Sequence, residues 1–75
     1  MIKIYGKPDC PYCDRAKSFL EARGIEYQYL LIGTDVEMGD FREEFPTARS
    51  VPQIIVDDVK IGGYTELVEF FKKTP

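Results

Sequence analysis

The feature that most constrains this chain is Cys10-Pro11-Tyr12-Cys13, set where an extended stretch gives way to a helical one. Cys10 and Cys13 are the only cysteines among 75 residues. Cys10 stands where the first helical turn begins, facing backbone N–H groups that have no intrahelical partner and the positive end of the helix dipole. That setting favours a thiolate, lowers the thiol pKa and makes Cys10 a nucleophile. Pro11 suits a first helical position, because it has no N–H to lose and its φ is preset. Cys13 lies one turn on, in place to attack a mixed disulfide formed on Cys10. C-x-x-C in a βαβ context is the spacing of dithiol redox chemistry. Competing readings are weaker. A zinc site needs two more ligands, and the chain has no His and no third Cys. A structural disulfide over so short a loop stabilises little, and small secreted scaffolds carry several pairs. Two plain core cysteines would be flanked by apolar runs, and these are not.

A chain of 75 residues makes one domain, residues 1–75, with one small core. Its 44% hydrophobic content, with five Phe and five Tyr, suffices for a packed fold. Ten basic and thirteen acidic residues leave a net charge of −3 and no basic stripe, which argues against nucleic acid as a partner. Neither a signal peptide nor an apolar span of membrane length is expected. A single cysteine pair points to the cytoplasm, where such a pair is catalytic. Without histidine, the chemistry must rest on thiols, a lysine or carboxylates.

Along the chain, Ile2-Lys3-Ile4-Tyr5 alternates as a strand does, and Gly6-Lys7-Pro8-Asp9 is a turn leading to Cys10. A helix is predicted from Pro11 to Arg23, with Cys13, Ala16, Phe19 and Leu20 on one face and Gly24 as its stop. Ile25 to Ile32 reads as a second strand, buried on both faces and parallel to the first through a right-handed crossover. A short helix from Asp40 to Phe45 is expected to turn Phe41 and Phe45 inward and to end at Pro46. Thr34 with Glu37, or Asp40 with Glu43, offers its cap. Gln53–Val56 and Val59–Ile61 form a hairpin about Asp57-Asp58, and Tyr64–Lys73 is the last helix, with Leu67, Val68, Phe70 and Phe71 towards the core. The order β-α-β-α-β-β-α predicts an α/β fold: a small four-stranded mixed sheet flanked by three helices.

Cys10-Pro11-Tyr12-Cys13, Val51-Pro52 and Gly62-Gly63-Tyr64 together resemble the three signatures of dithiol glutaredoxins, in order and spacing, over essentially the whole chain. The resemblance implies a thioredoxin-like fold and glutathione as reducing co-substrate, with no tightly bound cofactor. It also implies disulfide-containing or glutathionylated proteins as substrates, ribonucleotide reductase among them, and a monomer. Lys7 then pairs with the glycine-end carboxylate of glutathione, and its charge also favours the Cys10 thiolate. Arg42 is the second basic contact, although the segment around it is shorter than in relatives. Val51-Pro52 resembles the cis-proline loop, whose bend turns the Val51 backbone N–H and C=O outward to pair with an extended peptide. Gly63 lets backbone approach the ligand, while free N–H groups at Tyr64-Thr65-Glu66 attract the γ-glutamyl carboxylate. Thr65 adds its hydroxyl, Glu66 holds the α-amine where many relatives have Asp, and Tyr12 lines the groove. For Thr65 and Glu66, simple helix capping is the alternative. Two other functions compete: a carrier of a [2Fe–2S] cluster held by Cys10 and glutathione from two chains, and a glutaredoxin-like donor reduced by thioredoxin reductase. The stiff Pro11 tetrad argues against the first, and Lys7 with Thr65-Glu66 against the second.

Overall fold

The computed structural model describes residues 1–73. Its elements follow the expected order: β1 (Ile2–Gly6), α1 (Pro11–Ala22), β2 (Gln28–Leu31), α2 (Met38–Glu44), β3 (Gln53–Val56), β4 (Val59–Gly62) and α3 (Tyr64–Lys73). The sheet runs β2-β1-β3-β4, with β1 and β2 parallel and the remaining pairs antiparallel. This is the four-stranded mixed sheet with three helices that the alternation of strand and helix signals predicts.

Side chains alternate across β1 and β3, and so two cores form, one on each face of the sheet. On one face Ile2, Ile4, Ile54 and Val56 meet Ala16 and Leu20 of α1 and Leu67 of α3. On the other, Tyr5 and Ile55 meet Phe41 and Phe45 of α2. Tyr5 packs its ring 5.2 Å from Phe45, and its hydroxyl donates to Glu44 Oε1 at 3.2 Å. Of the apolar face expected of α3, Leu67 is fully buried, whereas Val68, Phe70 and Phe71 are half-buried.

Two expectations need correction. The second strand is not buried on both faces. It spans only Gln28–Leu31, forms an edge of the sheet, and is half-exposed. A run from Ile25 to Ile32 that is apolar apart from Glu26 and Gln28 mimics a central strand, but only the tertiary pairing decides which strand lies outside. α2 begins at Met38 rather than Asp40, and neither predicted side-chain cap forms, since Glu37 at the N-cap makes no side-chain hydrogen bond. The carboxylate that orders this segment is Asp35, which accepts the Leu31 N–H at 2.8 Å and closes the turn after β2.

The β3–β4 hairpin turns as expected on Asp57 and Asp58, both in the left-handed region at φ 48° and 68°. Positive φ at both central residues is the type I′ turn that matches strand twist, and its second position favours glycine. Asp57 also accepts the amino terminus at 2.6 Å. Asp58→Gly is therefore expected to stabilise the domain by about 0.5–1 kcal/mol, read as a higher urea midpoint at unchanged slope.

Candidate active site

β1 ends at Gly6, and the chain then crosses Lys7-Pro8-Asp9 to reach Cys10. Asp9 turns with φ 56°, and Cys10 follows in extended geometry (φ −118°, ψ 100°) as the N-cap of α1. The Cys13 N–H donates to Cys10 Sγ at 3.1 Å, the bond a serine or aspartate cap oxygen would accept. Pro11 occupies the first turn, as expected. The helix thus directs an orphan N–H at the Cys10 sulfur, which is the physical basis for a stabilised thiolate there. Cys13 points inward and is fully buried, while Cys10 is 6% exposed. The two form a disulfide, with Cα atoms 5.2 Å apart.

The Val51–Pro52 peptide bond is cis. Its loop lies over Cys10, with the Val51 carbonyl oxygen 3.8 Å from Cys10 Sγ. Gly63 sits against the same loop. A Cβ there would be 3.3 Å from the Pro52 carbonyl oxygen, a tight contact that glycine avoids where the β4–α3 turn closes on the proline.

Two hollows meet at Ser50 and Val51, the residue whose carbonyl reaches Cys10 Sγ. One, of about 390 Å³, is walled by Lys7, Phe41, Arg42, Arg49 and Val51. The other, of about 300 Å³, is walled by Tyr12, Pro52, Gly63, Tyr64, Thr65 and Glu66. Larger hollows beside Gln28 (about 860 Å³) and Pro46 (about 520 Å³) do not reach Val51. Every residue expected from the sequence to contact glutathione therefore borders one or other half of a single groove. Arg49 is the charged residue there that sequence reasoning passes over as loop. Its only signal is its place two residues before Val51.

The glutaredoxin family model matches residues 2–61. This chain belongs to the glutaredoxin family. It is 36% identical to glutaredoxin 3 of Escherichia coli (strain K12) over 66 residues, covering 88% of this chain and 80% of that one. Its fold superposes on the solved structure of reduced Escherichia coli glutaredoxin with a TM-score of 0.80 at 34% identity, over 97% and 94% of the two chains. A buckwheat glutaredoxin–glutathione complex matches with a TM-score of 0.73 at 25% identity, over 95% of this chain and 67% of that one. Family and fold make the chain a thiol–disulfide oxidoreductase of thioredoxin-like fold, with Cys10 and Cys13 as its redox pair.

In this glutaredoxin the groove is electrostatically divided. Among the described residues, Lys7, Arg42 and Arg49 take part in no ion pair and no side-chain hydrogen bond, whereas Lys17 and Lys60 are both engaged. Three uncommitted cations thus line one hollow of a chain whose net charge is −3. At the other end Glu66 already has a task. Its Oε1 accepts the Gly63 N–H at 2.8 Å, the carboxylate half of a capping box. Tyr12 is 54% exposed, with the Arg15 guanidinium 5.1 Å above its ring and Tyr64 6.0 Å away. The tyrosines with raised pKa values do not line the groove. Tyr5 is raised by burial and by Glu44, and Tyr27 is pushed up to about 12 by burial and its hydrogen bond to Glu21.

Proposed function

We propose that this glutaredoxin is a glutathione-dependent enzyme that reduces protein disulfides and glutathione mixed disulfides. The observation that carries the reading is the divided groove, with cations on one side of the Cys10 loop and a helix start on the other. Glutathione is a short extended peptide with its thiol near the middle and a carboxylate towards each end. Its glycine-end carboxylate suits Lys7, Arg42 and Arg49. Its backbone suits the N–H and C=O of Val51, in the loop beside Cys10. Its γ-glutamyl carboxylate suits the free N–H groups at the start of α3, with Thr65 beside them. Glu66 can meet the amine through the carboxylate oxygen that does not cap Gly63. The buckwheat relative, whose complex contains glutathione, lends the same support.

The chemistry follows from the two sulfurs. The Cys10 thiolate attacks one sulfur of a substrate disulfide. A mixed disulfide forms, and the substrate's other sulfur leaves with the electron pair and takes a proton from solvent. With a protein disulfide, Cys13 then attacks Cys10 Sγ, releases the second substrate thiol and leaves Cys10–Cys13 oxidised. Two glutathione molecules reduce that bond in turn and depart as glutathione disulfide. With a glutathionylated protein, Cys10 takes the glutathione and a second glutathione removes it. A cytoplasmic monomer is the setting we propose, since glutathione there keeps a lone thiol pair reduced.

The deciding experiment is a coupled assay with glutathione, glutathione reductase and a small mixed disulfide, run beside thioredoxin reductase. Turnover with the first system and none with the second is expected, and the reverse would overturn the reading. Lys7→Ala is expected to raise the KM for a glutathionylated peptide by about tenfold or more at low salt, the loss of a charge-assisted contact of about 1.5–3 kcal/mol. The lysine is exposed, so the urea midpoint should stay within the equivalent of about 0.5 kcal/mol.

A further inference from the structure

Cys13 is fully buried, yet each reduction of the Cys10–Cys13 bond must leave a charge on its sulfur. Burial penalises a thiolate unless a donor reaches it. The sheet brings a phenol to the same space. β1 and β2 pair in parallel with Ile4 opposite Tyr29, so the Tyr29 ring lies on the face that α1 covers and extends towards Gly6, two residues along β1. A Cβ at Gly6 would stand 2.8 Å from Tyr29 Cζ, closer still to the hydroxyl, and 3.0 Å from Cys13 Sγ. The missing side chain of Gly6 thus opens one small space shared by the phenol tip and the sulfur. Among the described residues the Tyr29 hydroxyl has no hydrogen-bond partner, unlike those of Tyr5 and Tyr27.

We infer that Tyr29, admitted by Gly6, becomes the hydrogen-bond donor to the Cys13 sulfur as the active-site disulfide opens, and so stabilises Cys13 as the leaving group. In that step an incoming thiolate attacks Cys10 Sγ. The new S–S bond forms, the Cys10–Cys13 bond breaks, and the electron pair leaves on Cys13 Sγ, where the Tyr29 O–H donates to it. The proton that finally neutralises Cys13 comes from solvent. From α1, the Lys17 ammonium sits 4.3 Å over the Tyr29 ring and is itself paired with Asp14 at 3.5 Å, so the charges facing the phenol from that helix are one cation and its partner. The inference rests on the dithiol role of Cys10 and Cys13 and is independent of glutathione as the donor.

Tyr29→Phe removes the hydroxyl and keeps the ring, so the packing on Gly6 and α1 is retained. In a Cys10→Ser background, the Cβ chemical shift of Cys13 in cysteine-labelled protein is followed over pH. Its titration midpoint should be higher when Tyr29→Phe is added than when Tyr29 is kept. In the dithiol protein, reduction of the active-site disulfide by dithiothreitol should slow about tenfold, the loss of a hydrogen bond to a charged group. In a Cys13→Ser background, removal of glutathione from a peptide should be unchanged by Tyr29→Phe. An unmoved midpoint, an unchanged dithiothreitol rate, or equal slowing in the Cys13→Ser protein would each overturn the inference. Because dithiothreitol is the reductant, failure here is distinct from failure of the glutathione assay.

Discussion

Cys10→Ser is expected to abolish every thiol-transfer reaction of this glutaredoxin, whereas Cys13→Ser should spare one of them. The asymmetry is positional. Cys10 caps α1 and receives the Cys13 N–H, beneath the loop that carries Val51. A serine hydroxyl there stays protonated at neutral pH and is no comparable nucleophile. Cys13 is wholly buried one turn into the helix, and so it cannot take over attack on an external disulfide. Removing glutathione from a protein uses Cys10 and a free thiol only, and loss of Cys13 also removes the unproductive ring closure. A protein disulfide instead leaves a bulky adduct on Cys10. Resolution by Cys13, tethered with its Cα 5.2 Å away, benefits from a high effective concentration that a free thiol lacks. Both variants would be assayed on a glutathionylated peptide and on a protein disulfide. A Cys13→Ser protein inert on the peptide, or a Cys10→Ser protein active on it, would sink the assignment of roles.

Leu20→Ala should be the most damaging change outside the groove. Leu20 is fully buried in the core that joins α1 to Ile4, Ile54 and Leu67. Truncating such a leucine costs about 2–5 kcal/mol, part transfer and part cavity. A domain of this length is stable by roughly 4–11 kcal/mol in all. The urea midpoint should therefore fall by a large fraction of its value at unchanged slope, with partial unfolding at 37 °C. Met38→Ala, at a site 50% exposed, should change stability by less than about 0.5 kcal/mol. A Leu20→Ala midpoint as close to wild type as that of Met38→Ala would show that the core between α1, α3 and the sheet does not hold the domain together.

How far the sequence reached depended on whether a property was local. The Cys10 cap, the Pro11 start, the Asp57-Asp58 turn and the inward Phe41 and Phe45 are legible because each rests on residues within a turn of one another. The order of strand and helix signals likewise determined the fold class, and the three short signatures pointed to the family. Other features were decided by tertiary contacts. The run from Ile25 to Ile32 is apolar enough for a central strand, yet pairing leaves β2 at the edge, because β1 has only two sides and β3 takes the other. Arg49 reads as loop until the fold sets it beside Lys7 and Arg42, from two other segments of the chain. Glu66 fits both ligand contact and capping, and the backbone geometry at Gly63 gives one of its oxygens to the cap. The meeting of Gly6, Cys13 and Tyr29 could not be read at all, since parallel pairing across a helical crossover brings together residues with no periodic relation in the chain. Local hydrogen bonding and dihedral preference thus belong to the sequence alone, while burial, edge position and convergence of charge require the packed sheet.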